Sequence, residues 1–131
     1  MNEMDMVNEP VGITIAGKPV KVKRLSTIRR RAIIEAVITE QYVAGILRQA
    51  KLAYPDNEAK RGAYIDKAML AMPQGKAMSD LVSDHIPGSA YARMFAEAAD
   101  ITEEQAVALL DDATPDEVRV LLRSLSGKKK T

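Results

Sequence analysis

The sequence predicts a mostly α-helical fold with a small N-terminal β-hairpin, in which about five to six helices form a bundle. Near the N-terminus, apolar residues alternate with polar ones, which is the period of a strand; further along they recur every three or four residues, which is the period of a helix. A length of 131 residues, 47% of them hydrophobic, is ordinary for one soluble domain. The expected organisation is a flexible arm at 1–10, a single domain at 11–126 comprising a β-hairpin at 11–24 and a helical bundle at 26–126, and a basic flexible tail at 127–131.

The hairpin is predicted from apolar residues that alternate on both sides of a turn at Ala16-Gly17-Lys18. Two strands alone are marginal in water, so the apolar face has to pack on helices or pair with a neighbouring chain. The apolar face carries Ile13, Ile15, Val20 and Val22, and the opposite face carries Lys21 and Lys23.

The first helix is predicted to run to about Ala53, with Ser26 or Thr27 as its N-cap. Two adjacent lines of apolar residues give it a wide stripe that faces the core; the members of the first line are four residues apart, and those of the second are three, four or seven apart. The first line consists of Ile34, Ile38, Tyr42 and Ile46, and the second of Ile33, Val37, Ala44 and Leu47.

The remaining helices are predicted from residues that stop or start a helix. Pro55 ends the first helix, and Asp56 or Asn57 can cap the second. The runs Thr102-Glu103-Glu104-Gln105 and Thr114-Pro115-Asp116-Glu117 are both capping boxes. We expect helices at about 58–71, 77–86, 89–99 with Ser89 as the cap, 103–111 and 115–125.

The net charge of +1 conceals two segregated blocks. Residues 18–31 contain seven bases and no acid, whereas residues 97–117 contain eight acids and no base. Part of the acidity is explained by helix first turns, where the macrodipole favours carboxylates. The segregation indicates either steering of association between copies or partners, or pairing of the two blocks within one chain.

Composition argues against most enzymatic chemistry. The chain has no Cys and a single His, so it lacks a thiolate nucleophile and the residues of most metal sites. Ser83-Asp84-His85 has the residue types of a nucleophilic triad, but consecutive side chains on a helix point apart. We therefore expect no catalytic residue, no metal site, no cofactor and no enzymatic activity.

Neither a membrane span nor a signal peptide is expected. No stretch approaches the roughly 18 consecutive apolar residues of a membrane helix, and the N-terminal MNEMDMVNEP is acidic. This predicts a cytosolic protein with no membrane partner.

The block of bases is the strongest candidate for binding a polyanion, because several lysines and arginines can contact several phosphates. No aromatic residue is interleaved with them for stacking on bases, which favours a protein-binding or solvated face over nucleic acid. The seven residues are Lys18, Lys21, Lys23, Arg24, Arg29, Arg30 and Arg31.

One family resemblance covers about residues 11–50. The run Ile13-Thr14-Ile15-Ala16-Gly17-Lys18-Pro19-Val20-Lys21-Val22, followed by Leu25-Ser26-Thr27 and a long helix, resembles the tail assembly chaperones of tailed bacteriophages. The resemblance implies a non-enzymatic protein of the bacterial host cytoplasm. It would bind the tape measure protein, keep its long apolar helices soluble and help to recruit tail tube subunits.

The expected partners are therefore other proteins, either the tape measure protein or tail subunits, with a homo-oligomer as a further option. Two alternative functions remain open: a structural tail, baseplate or connector subunit, and a small nucleic-acid-binding regulator that uses the bases of residues 18–31. The predicted partner-binding residues are Ile13, Ile15, Val20, Val22, Ile34, Ile38, Tyr42 and Ile46.

Overall fold

A computed structural model describes residues 9–84 and 86–126. It confirms the predicted fold class, because the described chain contains a two-stranded antiparallel hairpin and six helices, which account for 70% of it. In chain order the elements are β1 (Val11–Ile15), β2 (Lys18–Val22), α1 (Thr27–Ala53), α2 (Glu58–Leu70), α3 (Lys76–Asp84), α4 (Gly88–Ala99), α5 (Glu103–Asp111) and α6 (Pro115–Ser126).

The predicted arm and tail fall largely or wholly outside the described residues, as does His85. The arm at 1–10 and the tail at 127–131 therefore stay predictions. The helix bounds lie within two residues of those expected from sequence.

Side-chain caps explain why the helices begin where they do. The backbone N–H of Arg29 donates to Ser26 Oγ at 3.0 Å, so Ser26 caps α1. The side chain of Asn57 accepts from the Lys60 N–H at 3.0 Å and caps α2. Both capping boxes are confirmed, at the N-termini of α5 and α6.

Contacts divide the chain into two compact units, and the predicted single domain stays a prediction. Among the described residues, 9–33 and 88–126 form one, called here the hairpin unit, and 34–84 with 86–87 form the other, called the helical unit. The boundary falls inside the long helix α1, between Ile33 and Ile34.

The hairpin unit is built around its own strands. Helix α6 packs against β1, and helix α4 packs against β2. Backbone hydrogen bonds extend this contact beyond β2, since Lys23 N–H donates to the Ala98 carbonyl and Leu25 N–H to the Leu125 carbonyl, both at 2.9 Å. The largest fully buried side chains are Phe95, Ile15, Leu121, Leu125 and Val22, and all of them belong to this unit.

The hairpin turn is held by a carboxylate from α6. Ala16 and Gly17 both have positive φ, 53° and 76°, as a type I′ turn requires. Their N–H groups donate to Glu117 at 3.0 and 3.3 Å. The same carboxylate accepts from the Thr114 N–H at 2.9 Å, so one side chain caps α6 and also binds the turn.

The helical unit consists of the larger part of α1 together with α2 and α3. The Arg61 guanidinium donates to the carbonyls of Tyr54 and Pro55 at 3.3 and 3.1 Å, which fixes the connection between α1 and α2. The rings of Tyr54 and Tyr64 meet edge to face, with centroids 6.3 Å apart. Helix α2 contains no buried residue.

Candidate functional site

Large apolar side chains remain exposed mainly on the helical unit. Leu70, the last residue of α2, is 85% exposed, and Leu52, next to the last residue of α1, is 71% exposed. The exposed large apolar residues of this unit are Tyr42, Leu47, Leu52, Tyr64, Met69, Leu70 and Ile86. Seven of the eleven large apolar residues that are exposed in the described chain therefore belong to this unit.

A groove lies between α1 and α2 in the same unit. Its volume is about 370 Å³, within the usual range for binding sites. It is lined by Gln41, Tyr42, Gly45, Ile46, Gln49 and Tyr64.

Gly45 lines this groove and contributes no side chain to its wall. A Cβ at Gly45 would have only the Arg48 guanidinium within 4 Å, at 3.9 Å, so the chain itself has room for a side chain there. A glycine inside a helix costs roughly 0.5–1 kcal/mol relative to alanine. Because internal packing does not require the glycine, its effect is to widen the groove.

A second hollow continues the same surface along α1. Its volume is about 230 Å³, and Gln41 and Tyr42 line it as well as the groove. The other lining residues are Ile38, Leu81, Ile86 and Pro87.

The chemistry of both depressions is apolar with a few neutral polar groups. Among the described lining residues of either depression none is charged, although the Arg48 guanidinium lies 3.9 Å from a Cβ placed at Gly45. The polar side chains of the lining are the amides Gln41 and Gln49 and the hydroxyls of Tyr42 and Tyr64. Such a lining offers apolar burial and neutral hydrogen bonds. Among the described residues, no group of three or more His, Cys, Asp or Glu is placed to hold a metal ion.

The predicted partner-binding residues of the hairpin are mostly buried within the hairpin unit. Ile13, Ile15 and Val22 are 8%, 0% and 1% exposed, and Val20 is half-buried. Helices α4 and α6 of the same chain supply the cover that a two-stranded hairpin requires. This apolar face therefore has little area left for another chain.

The predicted residues of α1 divide between core and surface. Ile34 and Ile38 are buried, at 6% and 5% exposure, although Ile38 still borders the second hollow. Tyr42 is 42% exposed and Ile46 is half-buried, and both line the groove. Two of the eight predicted residues thus lie in the groove.

Three of the seven predicted basic-surface residues are exposed lysines of the hairpin: Lys18, Lys21 and Lys23. Arg31 is also exposed. Arg24 and Arg30 are half-buried, and the Nε atom of each is buried without a hydrogen-bond partner in the described chain. Arg30 additionally donates from its guanidinium to Thr27 Oγ1 at 3.2 Å.

Arg29, the remaining member, pairs with the acidic block. Its Nε donates to Glu97 Oε2 at 2.6 Å, and its second guanidinium nitrogen donates to the other oxygen of the same carboxylate. This bidentate hydrogen bond lowers the pKa of Glu97 and raises that of Arg29. The contact is an example of pairing between the two charge blocks within one chain.

Sequence reasoning missed four residues of the groove: Gln41, Gly45, Gln49 and Tyr64. Gln41, Gly45 and Gln49 are four residues apart, and they form a line on α1 next to the predicted line through Tyr42 and Ile46. The helical period of the sequence could therefore have identified them. No sequence pattern indicates Tyr64, because it comes from a different helix.

Comparison of the chain with protein-family models, with curated proteins and with solved structures found no match. Within the described residues, no helix combines the length and the apolar character needed to cross a membrane.

Proposed function

We propose that this protein is a tail assembly chaperone of a tailed bacteriophage, which binds the tape measure protein in the host cytoplasm and keeps it soluble without catalysis. The observation that carries the proposal is the groove of the helical unit, whose described lining is apolar or neutral and which is bordered by a helix that buries none of its residues. The order of hairpin, Leu25-Ser26-Thr27 and long helix, which resembles that family, supports it from the sequence.

A chaperone of this kind has to offer apolar surface to helices that would otherwise aggregate. Burying one fully exposed leucine is worth about 1.5–3 kcal/mol, and Leu52 and Leu70 are mostly exposed. Covering the rings of Tyr42 and Tyr64, which line the groove, contributes in the same direction. The partner needs no charged anchor in the groove, because the described residues that line it are apolar or neutral.

In this proposal the hairpin unit is the scaffold and the helical unit is the binding part. The hairpin's apolar face is buried on α4 and α6, so it stabilises the fold. A structural subunit of the particle would use similar surfaces, and washed mature particles distinguish the two: a chaperone is absent from them.

Nucleic acid is less well supported as a partner. Two guanidinium nitrogens of Arg29 already donate to Glu97, and Arg24 and Arg30 are half-buried. A gel-shift assay with Arg29, Arg30 and Arg31 changed to alanine tests this alternative.

The proposal is tested by coexpression with a tape measure protein. Wild-type chain should raise the soluble fraction of the tape measure protein and copurify with it. Tyr42→Asp combined with Tyr64→Asp puts two charges into the groove and should abolish both effects, because an unpaired carboxylate in an apolar contact is costly.

A matched control introduces the same charges on the hairpin unit. Val107 and Val120 are 45% and 42% exposed, close to the 42% and 37% of Tyr42 and Tyr64. Val107→Asp with Val120→Asp should leave chaperone activity intact. The proposal fails if wild-type chain leaves the tape measure protein insoluble, or if both double variants act alike.

A further inference from the structure

Two acids without a partner in the described chain lie between the C-terminal end of α5 and the N-cap of α6. Asp111 is the last residue of α5 and Asp112 is its C-cap, and the last turn of the helix contains no base. The negative end of the helix dipole disfavours carboxylates there, whereas Glu103 and Glu104 occupy the favourable first turn. Asp111 and Asp112 are both exposed, and within the described chain neither side chain has a hydrogen bond or an ion pair.

The outer face of the hairpin has the opposite charge. Lys21 and Lys23 are exposed on β2 or next to it, and neither has an ion pair within the described chain. Lys21 lies opposite Gly12 in the hairpin register, and a side chain at Gly12 would meet open space. Thr14 and Pro19 form the neighbouring pair, so no acid lies on this face among the strand residues that the structure describes.

A hollow beside Asp112 offers apolar surface as well. Its volume is about 380 Å³. Its lining includes Ile101, Ala108 and Leu109 together with Asp112 and one base, Lys18. A lysine side chain can lay its methylene stem on such a surface while its ammonium reaches a carboxylate at the edge.

We propose that the acidic end of α5 in one copy of this chain binds the outer face of the hairpin in a second copy. The contact pairs Asp111 and Asp112 with Lys21 and Lys23, and the hollow receives the lysine stems. The two patches belong to the same compact unit, and the net charge of +1 adds almost no overall repulsion between copies. The proposal concerns the hairpin unit and does not depend on what the groove of the helical unit binds.

A second copy accounts for both patches, whereas nucleic acid accounts for only one. The acids of residues 97–117 would repel phosphates, and the hairpin's outer face has no aromatic residue on which a base could stack. Because the contact joins two different patches, it can be made twice in a two-fold dimer, or it can repeat to close a ring or extend a chain.

The test is sedimentation of the purified full chain over a range of concentrations. At an ionic strength of about 50 mM we expect species larger than the monomer, which dissociate at about 500 mM, where charges are screened over a few ångströms. Lys21→Glu with Lys23→Glu should shift the species to monomer, and Asp111→Lys with Asp112→Lys should do the same. The chain that carries all four substitutions should associate again, because both charges are reversed together.

Matched controls change the net charge equally but lie on the helical unit. Lys60→Glu with Lys67→Glu, and Asp56→Lys with Asp66→Lys, should associate like wild type. Circular dichroism checks that every variant is folded.

Three results overturn the proposal. The wild type is a monomer at low salt, the Lys21→Glu, Lys23→Glu variant associates as strongly as the wild type, or the variant with all four substitutions stays monomeric. A fourth assigns the hairpin face to nucleic acid instead. In that case wild type stays monomeric but binds duplex DNA, and Lys21→Glu with Lys23→Glu removes the binding.

Discussion

The hairpin unit and the helical unit contain similar apolar patterns but use them differently. In the hairpin unit the apolar side chains of two strands and three helices are buried together, and Ile15, Phe95 and Leu121 have no exposed area. In the helical unit α2 buries no residue, and Leu52 and Leu70 lie mostly in solvent. Amphipathic pattern thus identifies an apolar face, but a face contributes to stability only where something covers it.

The largest expected difference between the units is in stability. Leu121 is fully buried and Leu70 is 85% exposed, and both are leucines in helices. Leu121→Ala should lower the free energy of unfolding by about 2–5 kcal/mol, since it opens a cavity in the hairpin unit. Leu70→Ala should change it by no more than about 0.5 kcal/mol. Denaturant titration followed by circular dichroism measures both, and equal losses would contradict this comparison.

The helix bounds could be predicted from sequence because their signals are local. Thr102, Thr114 and Asn57 cap helices through atoms three residues away, so the spacing alone is sufficient. The cover of each apolar face could not be predicted in this way. Ile13 and Tyr42 belong to equally regular patterns, but α6 covers β1, whereas Tyr42 remains exposed in a groove. That outcome depends on contacts between residues about 100 positions apart in the chain, such as Ala16 with Glu117.

Glu117 shows how one residue can have both a predictable and an unpredictable role. Its place in the capping box follows from the Thr114-x-x-Glu spacing, and the structure adds hydrogen bonds from Ala16 and Gly17. The backbone hydrogen bond from Thr114 lowers the pKa of Glu117 most; those from Gly17 and Ala16 lower it further, and burial opposes them.

The second prediction is an acid-sensitive link in the hairpin unit. Because the folded pKa of Glu117 lies below its ordinary value of 4.5, its contribution to stability is full above pH 4.5 and is lost as the pH falls through the folded pKa. Glu117→Gln should remove that contribution at neutral pH and reduce the slope of stability against pH below 4.5. The loss should be smaller than that for Leu121→Ala, because no cavity is created.

Unfolding at a series of pH values measures the effect of Glu117→Gln. Part of the slope of stability against pH should remain in the variant. Arg29 lowers the pKa of Glu97, so Glu97 also contributes stability that is lost as the pH falls. Glu104→Gln is the control, because Glu104 is an exposed acid of α5 without a side-chain hydrogen bond in the described chain. A wild-type slope in Glu117→Gln would show that the turn contact contributes nothing.

The smallest expected effect distinguishes stability from binding most sharply. Gly45 and Gly62 both lie inside helices of the helical unit, and neither has a close neighbour where a Cβ would be placed. Alanine at either position should therefore raise the free energy of unfolding by about 0.5–1 kcal/mol. Only Gly45 lines the groove, so Gly45→Ala should weaken binding of a partner helix while Gly62→Ala leaves it unchanged. Denaturant titration and a binding assay on the same two variants separate these effects. If both variants bind alike, the open wall at Gly45 is not used by the partner, and the groove would have to be engaged through Tyr42 and Tyr64 instead.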